Sequence, residues 1–161
     1  ELSSRGYFVT GIDATAELIE KAKALKSAQY HVLTYEGLSP STLSERYDAA
    51  VCNFSLLGKD SVIHVFNTLP QILNEGGYFV IQTLHPCFSG GDAPYTDGWR
   101  EGSWEGFSND FIDPAPWYFR TLATWTQLFI ANGFEIKRML EPVNPKTGKV
   151  ASLIIVGRLA V

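Results

Sequence analysis

Apolar residues fall in short runs along this chain, and stretches of helical periodicity separate them. The first run, Tyr7-Phe8-Val9-Thr10-Gly11-Ile12, stops at Asp13, and a helical pattern starts at once. Leu18, Ile19, Ala22 and Leu25 recur at i, i+3, i+4 spacing, with Glu17, Glu20, Lys21 and Lys23 on the other side. Thr15 stands where an N-cap hydroxyl is expected. Tyr30 to Thr34 reads as a second strand. Tyr47 to Phe54 reads as a third, apolar enough to be buried on both faces as parallel sheets require. Val62 to Leu73 predicts a helix whose buried stripe is Val62, Val65, Phe66, Leu69 and Leu73, with a kink or early end at Pro70. Gly76-Gly77 then turns the chain into a strand over Tyr78 to Leu84. Thr121 caps a helix from Leu122 to Ala131, striped by Trp125, Leu128 and Phe129 and closed by Asn132-Gly133. Strands over Phe134 to Leu140 and Ala151 to Gly157 complete the chain. Leu2 to Gly6 has the character of a last helical turn, too short to stand alone.

Strands alternating with helices predict an α/β domain around a largely parallel sheet. Ligands of such sheets bind outside the carboxyl ends of the strands. That rule singles out Asp13, Asn53-Phe54-Ser55 and His85, each at the end of a predicted strand. Two readings of Asp13 stand side by side: a helix cap, or a carboxylate that accepts ribose hydroxyls of a nucleotide.

At 161 residues the chain is long enough for one domain with a real core. Its net charge of −4 argues against a sequence-independent nucleic-acid surface. No apolar run approaches the ~18–20 residues of a membrane helix, and no signal peptide is visible. Cys52 and Cys87 lack metal-site spacing and read as reduced thiols of a cytoplasmic protein. Neither a Ser–His–Asp signature nor a phosphate loop is present.

The segment from Ser89 to Tyr118 follows no period. It carries Tyr95, Trp99, Trp104, Phe107, Phe111, Trp117 and Tyr118 among glycines and prolines. Disordered linkers are poor in aromatics, so disorder is not its sole role. It is either an aromatic-walled binding lid or a satellite cluster beneath a long loop. Arg120, just beyond it, suits either an anion or a structural pair.

Gly11-Ile12-Asp13, the strand opening with Tyr47-Asp48, and Asn74-Glu75-Gly76-Gly77 before a strand resemble, in order and spacing, the class I S-adenosylmethionine-dependent methyltransferases. Tyr118-Phe119-Arg120-Thr121-Leu122, Gly133-Phe134-Glu135-Ile136 and Glu141-Pro142 resemble a small-molecule branch of them. The resemblance implies a Rossmann-like sheet, mostly parallel, with an antiparallel C-terminal strand at the sheet edge. It implies S-adenosylmethionine as cofactor, held by Ile12, Asp13, Glu36, Gly37, Asn53, Phe54 and Ser55. It implies a small-molecule acceptor, methylated on oxygen or nitrogen, beside His85, Trp99, Trp104, Trp117, Tyr118 and Arg120, with residues 86–118 as a lid. His85 is the candidate proton acceptor, and the rival reading is a histidine that caps a loop. The family's first strand and its glycine-rich loop have no counterpart; no G-x-G-x-G occurs in the sequence. The expectation is therefore an N-terminally truncated domain over residues 1–161, whose central edges pair with each other or with a second copy. The rival functions are a non-catalytic module of this fold and an NAD-linked Rossmann enzyme.

Overall fold

The structure, a computed structural model, describes residues 2–25, 28–102 and 113–161. Two sheets form. In the smaller, β1 (Thr10–Asp13) and β2 (Gln29–Val32) run parallel, with α1 (Ala16–Ala24) crossing between them. In the larger, β3 (Tyr47–Asn53) lies parallel to β4 (Leu73–Leu84), with α2 (Asp60–Ile72) as the crossover. After a short α3 (Pro86–Ser89) and a hairpin of β5 (Gly98–Arg100) and β6 (Trp117–Phe119), α4 (Leu122–Ala131) leads into β7 (Phe134–Leu140) and β8 (Ser152–Leu159). The order across the larger sheet is β3-β4-β8-β7, and β8 runs antiparallel to both neighbours.

The α/β class is as the pattern predicts, and the antiparallel C-terminal strand is as the resemblance implies. The place of that strand is not. β8 is inserted between β4 and β7, so β7 forms the edge. The reason is burial: six of its eight positions carry the apolar run Leu153-Ile154-Ile155-Val156 or small Ser152 and Gly157, whereas β7 is exposed from Lys137 onward.

These two sheets share no strand pairing, so the expected direct pairing of the central edges, β1 against β3, does not occur among the described residues. Among the described residues β1 and β3 each keep one edge without a strand partner. β3 is accordingly not buried on both faces. Ala50 and Cys52 are half-buried while Ala49, Val51 and Asn53 are exposed. The small sheet also gives α1 little to pack against. Only Ile19 of its predicted stripe is buried, and Leu18 and Leu25 stay exposed. Tyr7 and Phe8 precede β1 and are exposed as well.

The core lies where α2 and α4 cover one face of the larger sheet. Val62, Val65, Phe66 and Leu69 are all buried, as their spacing predicts, and so is Leu73 at the start of β4. α2 ends two residues past Pro70, where the missing N–H falls in the last turn. Gly76, at φ +70°, sits in an irregular stretch of β4 that lets Leu73 pair with Tyr47 and Tyr78 with Ala49. Phe79 centres the core, packed against Phe66, Phe129 and Phe134 with ring centroids 5.0, 5.4 and 5.7 Å away.

Gly157 of β8 lies under this cluster. A Cβ there would fall 2.4 Å from Cδ1 of Phe129 and 3.2 Å from Cβ of Phe134. Both rings are buried and cannot swing aside. Gly157→Ala is therefore expected to cost about 1–3 kcal/mol through overpacking, read as a lower midpoint in urea with an unchanged slope. No helix of the described residues is long and apolar enough to cross a membrane.

Candidate functional site

The carboxyl ends of β1, β2 and β3 converge. Tyr35, just past β2, donates its hydroxyl to Oγ of Ser55, just past β3, at 2.7 Å, with Sγ of Cys52 at 3.8 Å. This bond ties the two sheets together at that end. Burial, and then the Cys52 thiol, push the Tyr35 phenol well above its ordinary value, and the Asp13 carboxylate acts in the same direction. Asp13, Tyr35 and Ser55 thus lie near one another at the carboxyl ends of these strands.

Asp13 closes β1. Its Oδ1 accepts the Thr15 N–H at 2.7 Å, so Asp13 caps the turn into α1, and the Thr15 hydroxyl makes no cap bond. The readings of Asp13 as cap and as ligand are therefore compatible. Its Oδ2 accepts no hydrogen bond from the described residues. Ile12 packs behind it against the main core.

Phe54 follows β3 at φ +50°, a left-handed conformation unusual for a bulky residue. Its N–H donates to the Gln82 carbonyl at 2.8 Å, and the residue is 42% exposed, with Asn53 and Ser55 exposed on either side. The strained backbone holds an aromatic face at the carboxyl edge, which is where ligands of such sheets lie. Glu36 and Gly37 occupy an exposed turn. The Gly37 N–H is spent on Thr34, at 3.2 Å from both its carbonyl and its hydroxyl, so that amide is not offered to a ligand.

His85 lies apart from this wall. It is 3% exposed. Its Nδ1 accepts the Cys87 N–H at 3.2 Å, and its Nε2 lies 2.8 Å from Oε1 of Glu141. With Nδ1 accepting, Nε2 is the nitrogen left to donate to Glu141, and the side chain caps α3. Both nitrogens are committed, so the geometry answers to the loop-capping reading of this histidine and not to a free base.

The remaining aromatic candidates gather on the β5–β6 hairpin. Trp99 and Tyr118 stack edge to face at 5.5 Å, and Trp117 meets Phe119 at 5.9 Å. The Tyr118 N–H reaches the Leu57 carbonyl at 2.7 Å, joining the hairpin to the loop after β3. Tyr95 Oη accepts the Leu122 N–H at 2.9 Å, and Asp97 Oδ1 accepts the Thr121 N–H at 2.8 Å, joining it to the start of α4. Arg120 is 3% exposed beneath Tyr118. Trp104 lies outside the described residues. Nothing in the sequence pattern singles out Tyr35, and Glu141, marked only within the Glu141-Pro142 resemblance, is not tied to His85 there; each gains its partner only across the fold.

Burial and, against it, the Tyr35 and Ser55 hydrogen bonds act on Cys52, with a net upward push on its thiol. Cys87 is exposed. A maleimide at neutral pH is expected to add once, at Cys87, within the time that leaves Cys52 unmodified; intact-mass spectrometry reads the adduct count.

The sequence profile of a family described as a methyltransferase domain matches residues 1–138, and the chain belongs to that family. Its fold is that of the S-adenosylmethionine-dependent methyltransferases. A protein from Listeria monocytogenes assigned to them superimposes with a TM-score of 0.76 at 20% identity, covering 96% of this chain and 81% of that one. A second, from Mesorhizobium loti, gives 0.69 at 21% identity, with coverages of 94% and 80%. The 1,6-didemethyltoxoflavin-N1-methyltransferase of Burkholderia thailandensis, solved with its substrate and S-adenosylhomocysteine, gives 0.68 at 16% identity, covering 98% of this chain and 64% of its own. No curated protein matches the chain.

Proposed function

We propose that the protein transfers a methyl group from S-adenosylmethionine to a small-molecule acceptor, at oxygen or nitrogen. One observation carries this reading: Asp13 ends β1 at the converging carboxyl edge with Oδ2 free of the described donors. A carboxylate so placed suits two ribose hydroxyls. The Phe54 ring, with the exposed Asn53 beside it in the chain and the exposed Glu36 next to Tyr35, supplies a wall of mixed polarity for the adenosine half. These residues fit that half; none of them supplies the glycine cradle expected for the methionine half.

When bound, S-adenosylmethionine presents an electrophilic methyl to in-line attack. What this chain contributes is position and exclusion of water, worth about 7–11 kcal/mol when acceptor and donor are well aligned. Residues 86–118 act as the lid. Trp99, Trp117 and Tyr118 offer flat faces to a ring or an amine, and the N1-methyltransferase neighbour supports nitrogen as one acceptor atom. His85 caps α3, the first turn of that segment.

Titration calorimetry of the chain with S-adenosylhomocysteine tests the proposal. A saturable one-to-one complex is expected. Absence of heat from a protein whose circular dichroism shows it folded removes the reading and leaves a non-catalytic module. Tighter binding of NAD would move it to the nicotinamide-linked class.

A further inference from the structure

Past the carboxyl end of β4 the chain walls a cavity of about 400 Å³, within the ~300–1,000 Å³ of small-molecule sites. Pro86, Cys87 and Phe88 of α3 line it, with Asp92 and Tyr95 from the loop that follows and Phe119 of β6. The cavity is open to solutes: Phe88 is 66% and Tyr95 50% exposed, and the Cys87 thiol is exposed with them. It lies on the same sheet edge as the Phe54 wall, since the Phe54 N–H bonds the carbonyl of Gln82, on the strand that leads into Pro86.

Its aromatic walls are held in place from behind. The Phe88 ring rests on His85, with centroids 4.8 Å apart, and His85 is itself fixed by Glu141 and the Cys87 N–H. The Tyr95 ring meets the buried Phe119 edge-on at 5.7 Å, and its hydroxyl is pinned by the Leu122 N–H. A ligand ring therefore meets faces already ordered, and little side-chain freedom is lost when it binds. The charge of the lining has one sign. Asp92 is its only carboxylate, no lysine, arginine or histidine lines it, and Asp92 receives no hydrogen bond or ion pair from the described residues. Arg100 stacks on Phe119 at 4.8 Å but does not line the cavity, and its Nη atoms donate to the Trp99, Pro94 and Thr96 carbonyls. Aromatic faces beside a lone carboxylate attract an organic cation and repel an anion.

We propose that this cavity binds a small aromatic amine in its protonated form, the ring against Phe88 and Tyr95 and the ammonium against Asp92. Resting on the methyltransferase reading, this narrows the acceptor to compounds that carry both a ring and an ammonium, the ammonium orienting them in the cavity.

Benzylamine, its neutral analogue benzyl alcohol and the anion benzoate are the probes, titrated into the whole chain by ligand-observed NMR. Benzylamine is expected to bind ~three- to tenfold more tightly than benzyl alcohol, the joint effect of an exposed ion pair and a cation over a ring. Added salt should shrink that preference. Asp92→Asn should remove most of it while leaving benzyl alcohol binding unchanged, and because Asp92 is exposed the urea midpoint should not move. Cys87 reports the place. At about ten times its Kd, benzylamine should slow modification of Cys87 by methyl methanethiosulfonate about tenfold, read by intact-mass spectrometry. Equal affinity for benzylamine and benzyl alcohol, tighter binding of benzoate, or a preference that survives in Asp92→Asn overturns the assignment. So does benzylamine binding that leaves the Cys87 rate unchanged. Binding of S-adenosylhomocysteine without Cys87 protection by benzylamine overturns this site and leaves methyl transfer standing. Protection without S-adenosylhomocysteine binding supports the amine site and removes the methyl-transfer reading.

Discussion

Replacing Asp13 by alanine is expected to weaken S-adenosylhomocysteine binding about ten- to a hundredfold, the worth of ~1.5–3 kcal/mol for hydrogen bonds to a charged acceptor. The side chain performs two tasks, and the substitution removes both. Oδ1 holds the Thr15 N–H at 2.7 Å and so shapes the entry to α1. Oδ2 is the oxygen free for a sugar hydroxyl. Loss of the first should lower stability by about 1 kcal/mol, the usual worth of an N-terminal cap. Asp13→Asn separates the two. The amide keeps an acceptor for Thr15, so the unfolding midpoint should stay near that of the parent, but it offers a weaker, uncharged partner to the ribose. Calorimetry on both variants, with urea titrations alongside, checks this. If Asp13→Asn binds the ligand as the parent does while Asp13→Ala does not, the carboxylate charge is irrelevant and Asp13 is only a cap.

Phe79→Ala should be the most destabilising single change in the described core, at about 3–5 kcal/mol. Phe79 has 0% of its surface exposed. Its ring meets Phe66 from α2 edge-on at 5.0 Å, Phe129 from α4 at 5.4 Å and Phe134 from β7 at 5.7 Å. One side chain on the central strand therefore joins both covering helices to the sheet edge. Phe66 and Phe129 also meet each other edge-on at 5.1 Å and brace one another around the ring, so the void left by alanine cannot collapse easily. Domains are stable by ~5–15 kcal/mol, so the variant should unfold at a much lower urea concentration or fail to fold at all. Phe79→Leu, which keeps most of the volume, should lose far less. An equal loss for alanine and leucine would mean that ring geometry, not volume, matters at this position.

Much of this architecture is legible in the chain. The stripe Val62, Val65, Phe66 and Leu69 predicts the buried face of α2, and the Thr121 hydroxyl accepts the Thr124 N–H at 3.2 Å, as the capping reading of α4 requires. Asp13, Asn53, Phe54 and Ser55 do fall at strand ends. The site is less legible. His85 is at the predicted place, but Glu141, 56 residues away, occupies its Nε2. Ser55 is held by Tyr35, which no motif marks. The Leu18–Leu25 stripe predicts a burial that α1 does not achieve, since periodicity says which face would be covered, not whether a neighbour covers it.

Backbone preference and apolar spacing act over a few neighbouring residues, and so the sequence of strands, helices and turns could be read directly from one end to the other. The insertion of β8 between β4 and β7 could not, because strand order depends on which distant surfaces compete for the same edge. Nor could the fate of Arg120. Any arginine beside a tyrosine can reach solvent or a carboxylate; only the packing of Tyr118, Trp125 and the Lys59 carbonyl around it leaves Nη1 buried and unbonded. Hydrogen bonding and desolvation at such a group are set by atoms brought together from far along the chain.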